Sequence, residues 1–116
     1  MPSRISDEFS RLERRGKSRS RLVVQVHCWG HAAACVGKTV DISETGLLIS
    51  TTDQLDVGES VKLRFALPVE HNAITIEATG IVVRLVPGKE PLMGIKFSIL
   101  PDEQRAAIRQ FVDAQQ

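Results

Sequence analysis

The chain has 116 residues, 42% hydrophobic and 25% charged, a balance that fits one globular domain and excludes disordered or collagen-like chains. No apolar run reaches the ~18 residues of a membrane span, and none follows the basic N-terminus as a secretory signal would require. A cytoplasmic protein without membrane insertion is therefore expected. The net charge of +1 hides an asymmetry: residues 1–21 hold seven bases against three acids, and residues 22–116 hold eight bases against eleven acids. A basic arm on an acidic body suits contact with an anion.

From Leu22 the sequence reads as short strands divided by turn signals. Leu22, Val24, Val26 and Cys28 alternate with Val23, Gln25, His27 and Trp29, a period of two. Trp29-Gly30-His31 marks a turn, and a second strand is expected over Ala34–Ile42. After Ser43-Glu44-Thr45-Gly46 comes a short buried strand, Leu47–Ser50, and then a polar connection from Asp53 to Glu59. Val61, Leu63, Phe65 and Leu67 form the clearest half-buried strand, which Pro68 should end. Ile74, Ile76 and Ala78 share a face, and beyond Gly80 the apolar set moves by one to Ile81, Val83 and Leu85, as a bulge would produce. Val86–Lys89 is a turn, and Met93, Ile95, Phe97 and Ile99 give the inward face of a last strand.

The period then changes. Pro101 suits a first helical position, Asp102 and Glu103 suit the positive end of the helix dipole, and Ile108, Phe111 and Val112 repeat at helical spacing. The expected architecture is all-β: a small antiparallel six-stranded barrel or sandwich over residues 22–116, with one C-terminal helix over Pro101–Ala114 covering an opening. Residues 1–21 are expected to form a separate basic arm, with five serines and Gly16 among its charges, mobile without ligand.

Several chemistries fail on the residues present. No Gly-x-Ser-x-Gly elbow occurs, and His27, His31 and His71 pair with no obvious carboxylate, so no enzyme is expected. Gly16-Lys17-Ser18 and Gly37-Lys38-Thr39 look like phosphate-loop tails, but Arg11 and Ala32 stand where the motif needs its first glycine. His27, Cys28, His31 and Cys35 offer four metal donors, yet adjacent His27 and Cys28 would face opposite sides of a strand. Two cysteines make no disulfide framework. A reducing compartment is the simpler expectation, with Cys28 packed as a small apolar side chain.

Two segments remain. One is Arg14-Arg15-Gly16-Lys17-Ser18-Arg19, with an Arg-x-x-x-Arg pair at Arg15 and Arg19. The other is Asp41-Ile42-Ser43-Glu44-Thr45-Gly46, an Asp-x-Ser-x-x-Gly turn between two strands. A basic segment before the first strand and this turn after the second resemble the PilZ domain family, bacterial receptors for cyclic di-GMP. The resemblance spans Arg14 through the terminal helix. Arg11/Arg15 and Lys17/Arg21 also stand four apart; the Arg15/Arg19 register places its pair immediately before the apolar strand.

The resemblance implies that Arg15 and Arg19 bind the phosphates and guanines of cyclic di-GMP, with guanidinium forks on phosphate oxygens or the guanine O6/N7 edge. Charge-assisted bonds of about 1.5–3 kcal/mol make each arginine worth one to two decades of affinity. Asp41 would accept from guanine N1 and N2, Ser43 would bond base or backbone, and Gly46 would allow a tight turn with close backbone approach. In the family, an arginine at the place of Arg14 accompanies binding of a stacked ligand dimer. No cofactor beyond this ligand is implied, and the signal would pass to a downstream effector protein. The rivals are a PilZ-fold adaptor without nucleotide affinity, a barrel binding nucleic acid through its arm, and a flavin-type enzyme of related barrel shape. The intact motifs oppose the first, and an acidic body with few aromatics opposes the second. Only a likeness of fold supports the third.

Overall fold

In the computed structural model, which describes residues 23–114, the alternating segments become six antiparallel strands: β1 Gln25–Trp29, β2 Ala34–Ile42, β3 Gly46–Ser50, β4 Ser60–Val69, β5 Asn72–Val86 and β6 Leu92–Ile99. They close in the order β1-β2-β3-β6-β5-β4, so every strand has a neighbour on both sides over part of its length. The inward residues of each strand meet in one core that includes Val26, Leu47, Ile49, Leu63, Leu67, Ile76, Val82, Met93 and Ile95. Full burial stabilises aliphatic side chains of this size by about 1.5–3 kcal/mol each.

The terminal helix, α1, runs Asp102–Ala114. It starts one residue later than the sequence suggests, because the Pro101 carbonyl accepts from the amides of Gln104 and Arg105 and so occupies the capping position. Its buried face, Ala107, Ile108, Phe111 and Val112, joins the barrel core. The helix packs on β4 and β5, and the Gln104 side-chain carbonyl accepts from the Glu77 amide at 2.8 Å.

Three further details depart from the sequence reading. Pro68 does not end β4: it pairs with Ala73 in the β4–β5 ladder, while the β1–β4 pairing stops at Phe65. Among the described residues β4 has no second ladder partner there, so the missing N–H of Pro68 interrupts no pairing on that side. The β5–β6 ladder does shift register at Gly80, as the sequence suggests, and shifts again between Val82 and Arg84; the change of buried face follows the second shift. Ile76, Ala78, Gly80 and Val82 stay in one buried set, Ile81 is exposed, and Val83 and Leu85 are partly buried beyond an irregularity between Val82 and Arg84. Ile99, expected inside, is 65% exposed. It lies past the last buried position of β6, where the chain leaves the barrel for the helix.

The cysteines need the largest correction. Cys28 and Cys35 are direct cross-strand partners in the β1–β2 hairpin, with Cα atoms 5.2 Å apart, and they form a disulfide. Both are buried, so they do sit in the core, but as a cross-link. Cysteine count thus gives no argument for a reducing compartment. His27, by contrast, is exposed while Cys28 is fully buried, which separates these two metal-donor candidates as strand geometry demands. Closing so short a loop constrains the unfolded chain by about 2–3 kcal/mol in the chain-entropy model. Dithiothreitol should therefore lower the urea midpoint of the wild type and leave a Cys28→Ala/Cys35→Ala variant unmoved. Equal midpoints for the oxidised and reduced wild type would refute the cross-link's contribution.

Candidate functional site

The Asp-x-Ser-x-x-Gly segment forms the connection from β2 to β3, and its conformation follows from its own side chains. The Ser43 amide donates to the Gly46 carbonyl at 3.0 Å, closing the turn. Ser43 Oγ accepts from the amides of Thr45 (3.2 Å) and Gly46 (3.3 Å) and lies 2.9 Å from Thr45 Oγ1. The hydroxyl expected to bond base or backbone is thus engaged with the turn backbone, as serine hydroxyls commonly are in turns. The Thr45 carbonyl accepts from Phe97 N at 2.8 Å, which fastens the turn to β6.

Gly46 has a different reason to be glycine from the conformational one. Its φ is not positive, but a Cβ at this position would run into the Ile95 carbonyl oxygen and come within 3.2 Å of Lys96 Cα. Close approach of two backbones requires the missing side chain.

Asp41 owes its placement to a bulge. Thr39 pairs with Ile49 and Asp41 with Leu48, so Val40 is the extra residue in β2. Cross-strand partners share a face, and Ile49 is an inward residue whereas Leu48 alternates with it. The insertion therefore moves Asp41 out of the inward set that contains Cys35 and Gly37. Asp41 remains only 5% exposed. A carboxylate so enclosed is kept only where it has partners, since burying an isolated charge is costly.

Arg14, Arg15 and Arg19 lie outside the described residues, as does the arm as a whole. The described residues begin at Val23, shortly after the arm. Val24 N donates to Thr39 Oγ1 at 3.0 Å, and Thr39 N donates to the Val24 carbonyl at 2.9 Å. The chain entering β1 therefore runs alongside the segment of β2 that leads into Asp41.

Three residues at this turn escaped the sequence reading. Glu44, in a variable position of the motif, receives a two-pronged ion pair from Arg109 of α1: Nε to Oε2 at 3.1 Å and Nη2 to Oε1 at 3.0 Å. Arg105, one helical turn earlier, donates Nη1 to the Glu44 carbonyl oxygen at 2.8 Å. The Arg109 hydrogen bonds hold the Glu44 carboxyl below its ordinary range, against a small opposing effect of partial burial, so the pair persists to lower pH than a free carboxylate would allow. The helical i,i+4 spacing of Arg105 and Arg109 was visible in the sequence; its target 65 positions away was not.

A second surface feature lies on the outer face of β1 and β4. Trp29 is 44% exposed, stacks on His27 with ring centroids 6.2 Å apart, and sits opposite Lys62, while His27 sits opposite Arg64. A groove of 550 Å³ on this side is lined by Val23, Gln25, His27, Arg64, Pro68 and Thr75 among others. It adjoins the start of β1 but includes no residue of the 41–46 turn.

A closed six-stranded antiparallel barrel with a terminal helix, carrying this turn between its second and third strands, defines the class of protein. The PilZ domain family model matches residues 10–114, and the chain belongs to that family. Among solved structures it is similar to the inhibitor of motility MotI/DgrA of Bacillus subtilis, with a TM-score of 0.75 and 20% identity over 84% of this chain. The chain spans about half (48%) of that protein. It is also similar to the PilZ domain of CeSA from a cellulose-synthesizing bacterium, with a TM-score of 0.56 and 19% identity, covering 83% of this chain and 95% of that one. At these identities the two structures establish a shared fold. No curated protein matches the chain. Among the described residues, no helix is long and apolar enough to cross a membrane.

Proposed function

We propose that this chain is a non-catalytic cyclic di-GMP receptor whose arm and turn close on one ligand and whose bound state is read by a partner protein. Arg15 and Arg19 take the phosphates and guanine edges, Arg14 supports a second stacked ligand, and Asp41 accepts from guanine N1 and N2. Ser43 and Gly46 act mainly through the turn they shape. The observation supporting the reading is the reciprocal Val24–Thr39 pairing, which sets Val24, near the start of the described chain and three residues after Arg21, beside the strand that delivers Asp41. Family membership supplies the ligand class, and the likeness to an inhibitor of motility makes a motility component the first partner to try.

Calorimetric titration of cyclic di-GMP into the wild type, Arg19→Ala and Asp41→Ala tests the reading, with GTP and single-stranded DNA as controls. Each substitution should cost about one to two decades of affinity, the value of a charge-assisted hydrogen bond. Tight binding of DNA without binding of the dinucleotide would transfer the case to a nucleic-acid module. A stoichiometry of one ligand per protomer would remove the role given to Arg14.

A further inference from the structure

We propose that Glu44, Arg105 and Arg109 are positioning residues: the C-terminal helix holds the 41–46 turn in its binding shape, so the affinity of the ligand site is set partly from the helix. The inference rests on the cyclic di-GMP reading for its ligand, but its geometry stands alone. Glu44 is gripped at two independent points, the main-chain carbonyl by Arg105 and the carboxylate by Arg109. Both grips come from one helix whose adjoining apolar face is anchored in the core through Ile108 and Phe111. Glu44 is next to Ser43, whose hydroxyl organises the turn, and three residues from Asp41.

The plain alternative is a decorative surface ion pair. Arg109 and Glu44 side chains are 57% and 39% exposed, and such pairs contribute little to global stability. Orientation is another matter, because a forked guanidinium–carboxylate contact fixes direction as well as distance. The two explanations predict opposite signs for one substitution. Cyclic di-GMP carries two negative charges, so if Glu44 acts only as a nearby charge, its removal should tighten binding. If Glu44 is the handle by which the helix holds the turn, its removal should weaken binding despite the lost repulsion. Coupling of this kind is reciprocal, so ligand in the turn also strengthens the docking of α1, and the helix becomes the element through which occupancy can be sensed.

The experiment compares wild type, Glu44→Ala, Arg109→Ala and the exchanged pair Glu44→Arg/Arg109→Glu by cyclic di-GMP calorimetry and by amide hydrogen exchange of the free proteins. Each single variant should weaken binding about fivefold, the lower end of site-to-site coupling. The exchanged pair, which restores the contact with the charges reversed, should return to within about twofold of wild type. In the free proteins the Thr45 and Gly46 amides should exchange faster in both single variants and recover in the exchanged pair. Wild-type or tighter affinity for Glu44→Ala would overturn the proposal. If the wild type does not bind the dinucleotide, the receptor reading fails. Hydrogen exchange then decides this one separately: loss and recovery of turn protection support it, and unchanged protection in the single variants overturns it.

Discussion

Gly46→Ala should destabilise the barrel by about 3 kcal/mol, the upper range for forcing extra volume into a packed site. For a domain of this size that lowers the midpoint of thermal unfolding by about 12 °C. The added methyl meets the Ile95 carbonyl oxygen and, at 3.2 Å, Ile95 C and Lys96 Cα. All three are backbone atoms of β6, and none can yield without opening the β3–β6 ladder, where Gly46 pairs with Lys96 and Leu47 with Ile95. Differential scanning calorimetry checks the expectation, and a midpoint within about 2 °C of wild type would show that the two strands separate cheaply. The amide of Phe97, which donates to the Thr45 carbonyl, should lose exchange protection in the same variant.

This glycine also shows where a binding motif and a folding requirement share residues. In the Asp-x-Ser-x-x-Gly segment, Ser43 serves the turn backbone and Gly46 serves the β3–β6 contact, so both have a reason to be present without any ligand. Asp41 is buried as well, on a segment displaced by the bulge at Val40, so its carboxylate also has partners to lose. Loss of binding at any of the three is read as lost contact only when thermal unfolding shows the variant as stable as the wild type.

Strand order in the sequence was legible because period-two alternation and Gly/Pro punctuation act locally. β2 appears with the bounds its pattern suggests, and β3, β4 and β6 within two residues of theirs. What the sequence concealed depends on pairing. Pro68 reads as a terminator until β1 is seen to stop short of it. The offset in β5 was recognisable, but its position is set by the ladder with β6, not by Gly80 alone. Cys28 and Cys35 could have been paired in advance, since they lie equally far from the centre of the Trp29–Ala34 turn and an antiparallel hairpin must bring such residues opposite. The Glu44 clamp had no comparable local signal. One half is a variable position inside a motif, and the other is two arginines on a helix far along the chain.

Ile108→Ala provides the second large effect and joins the core to the clamp. Ile108 is fully buried and lies on α1 between Arg105 and Arg109. Truncating an isoleucine at such a site costs about 2–5 kcal/mol through lost burial and the cavity left behind. That is a large share of the 5–15 kcal/mol typical of a whole domain, so a midpoint drop of roughly 10 °C or more is expected. Because the side chain aims the helix on which both arginines stand, cyclic di-GMP affinity should fall with stability even though Ile108 is no part of the turn. The fall in affinity should shrink when the same substitution is made on Glu44→Ala, where the Arg109 grip is gone and only the Arg105 bond to the main-chain carbonyl is left; residues acting through one contact are non-additive. Full additivity of the two affinity losses, with the stability loss intact, would mean that Ile108 supports the site by some route other than the Glu44 clamp.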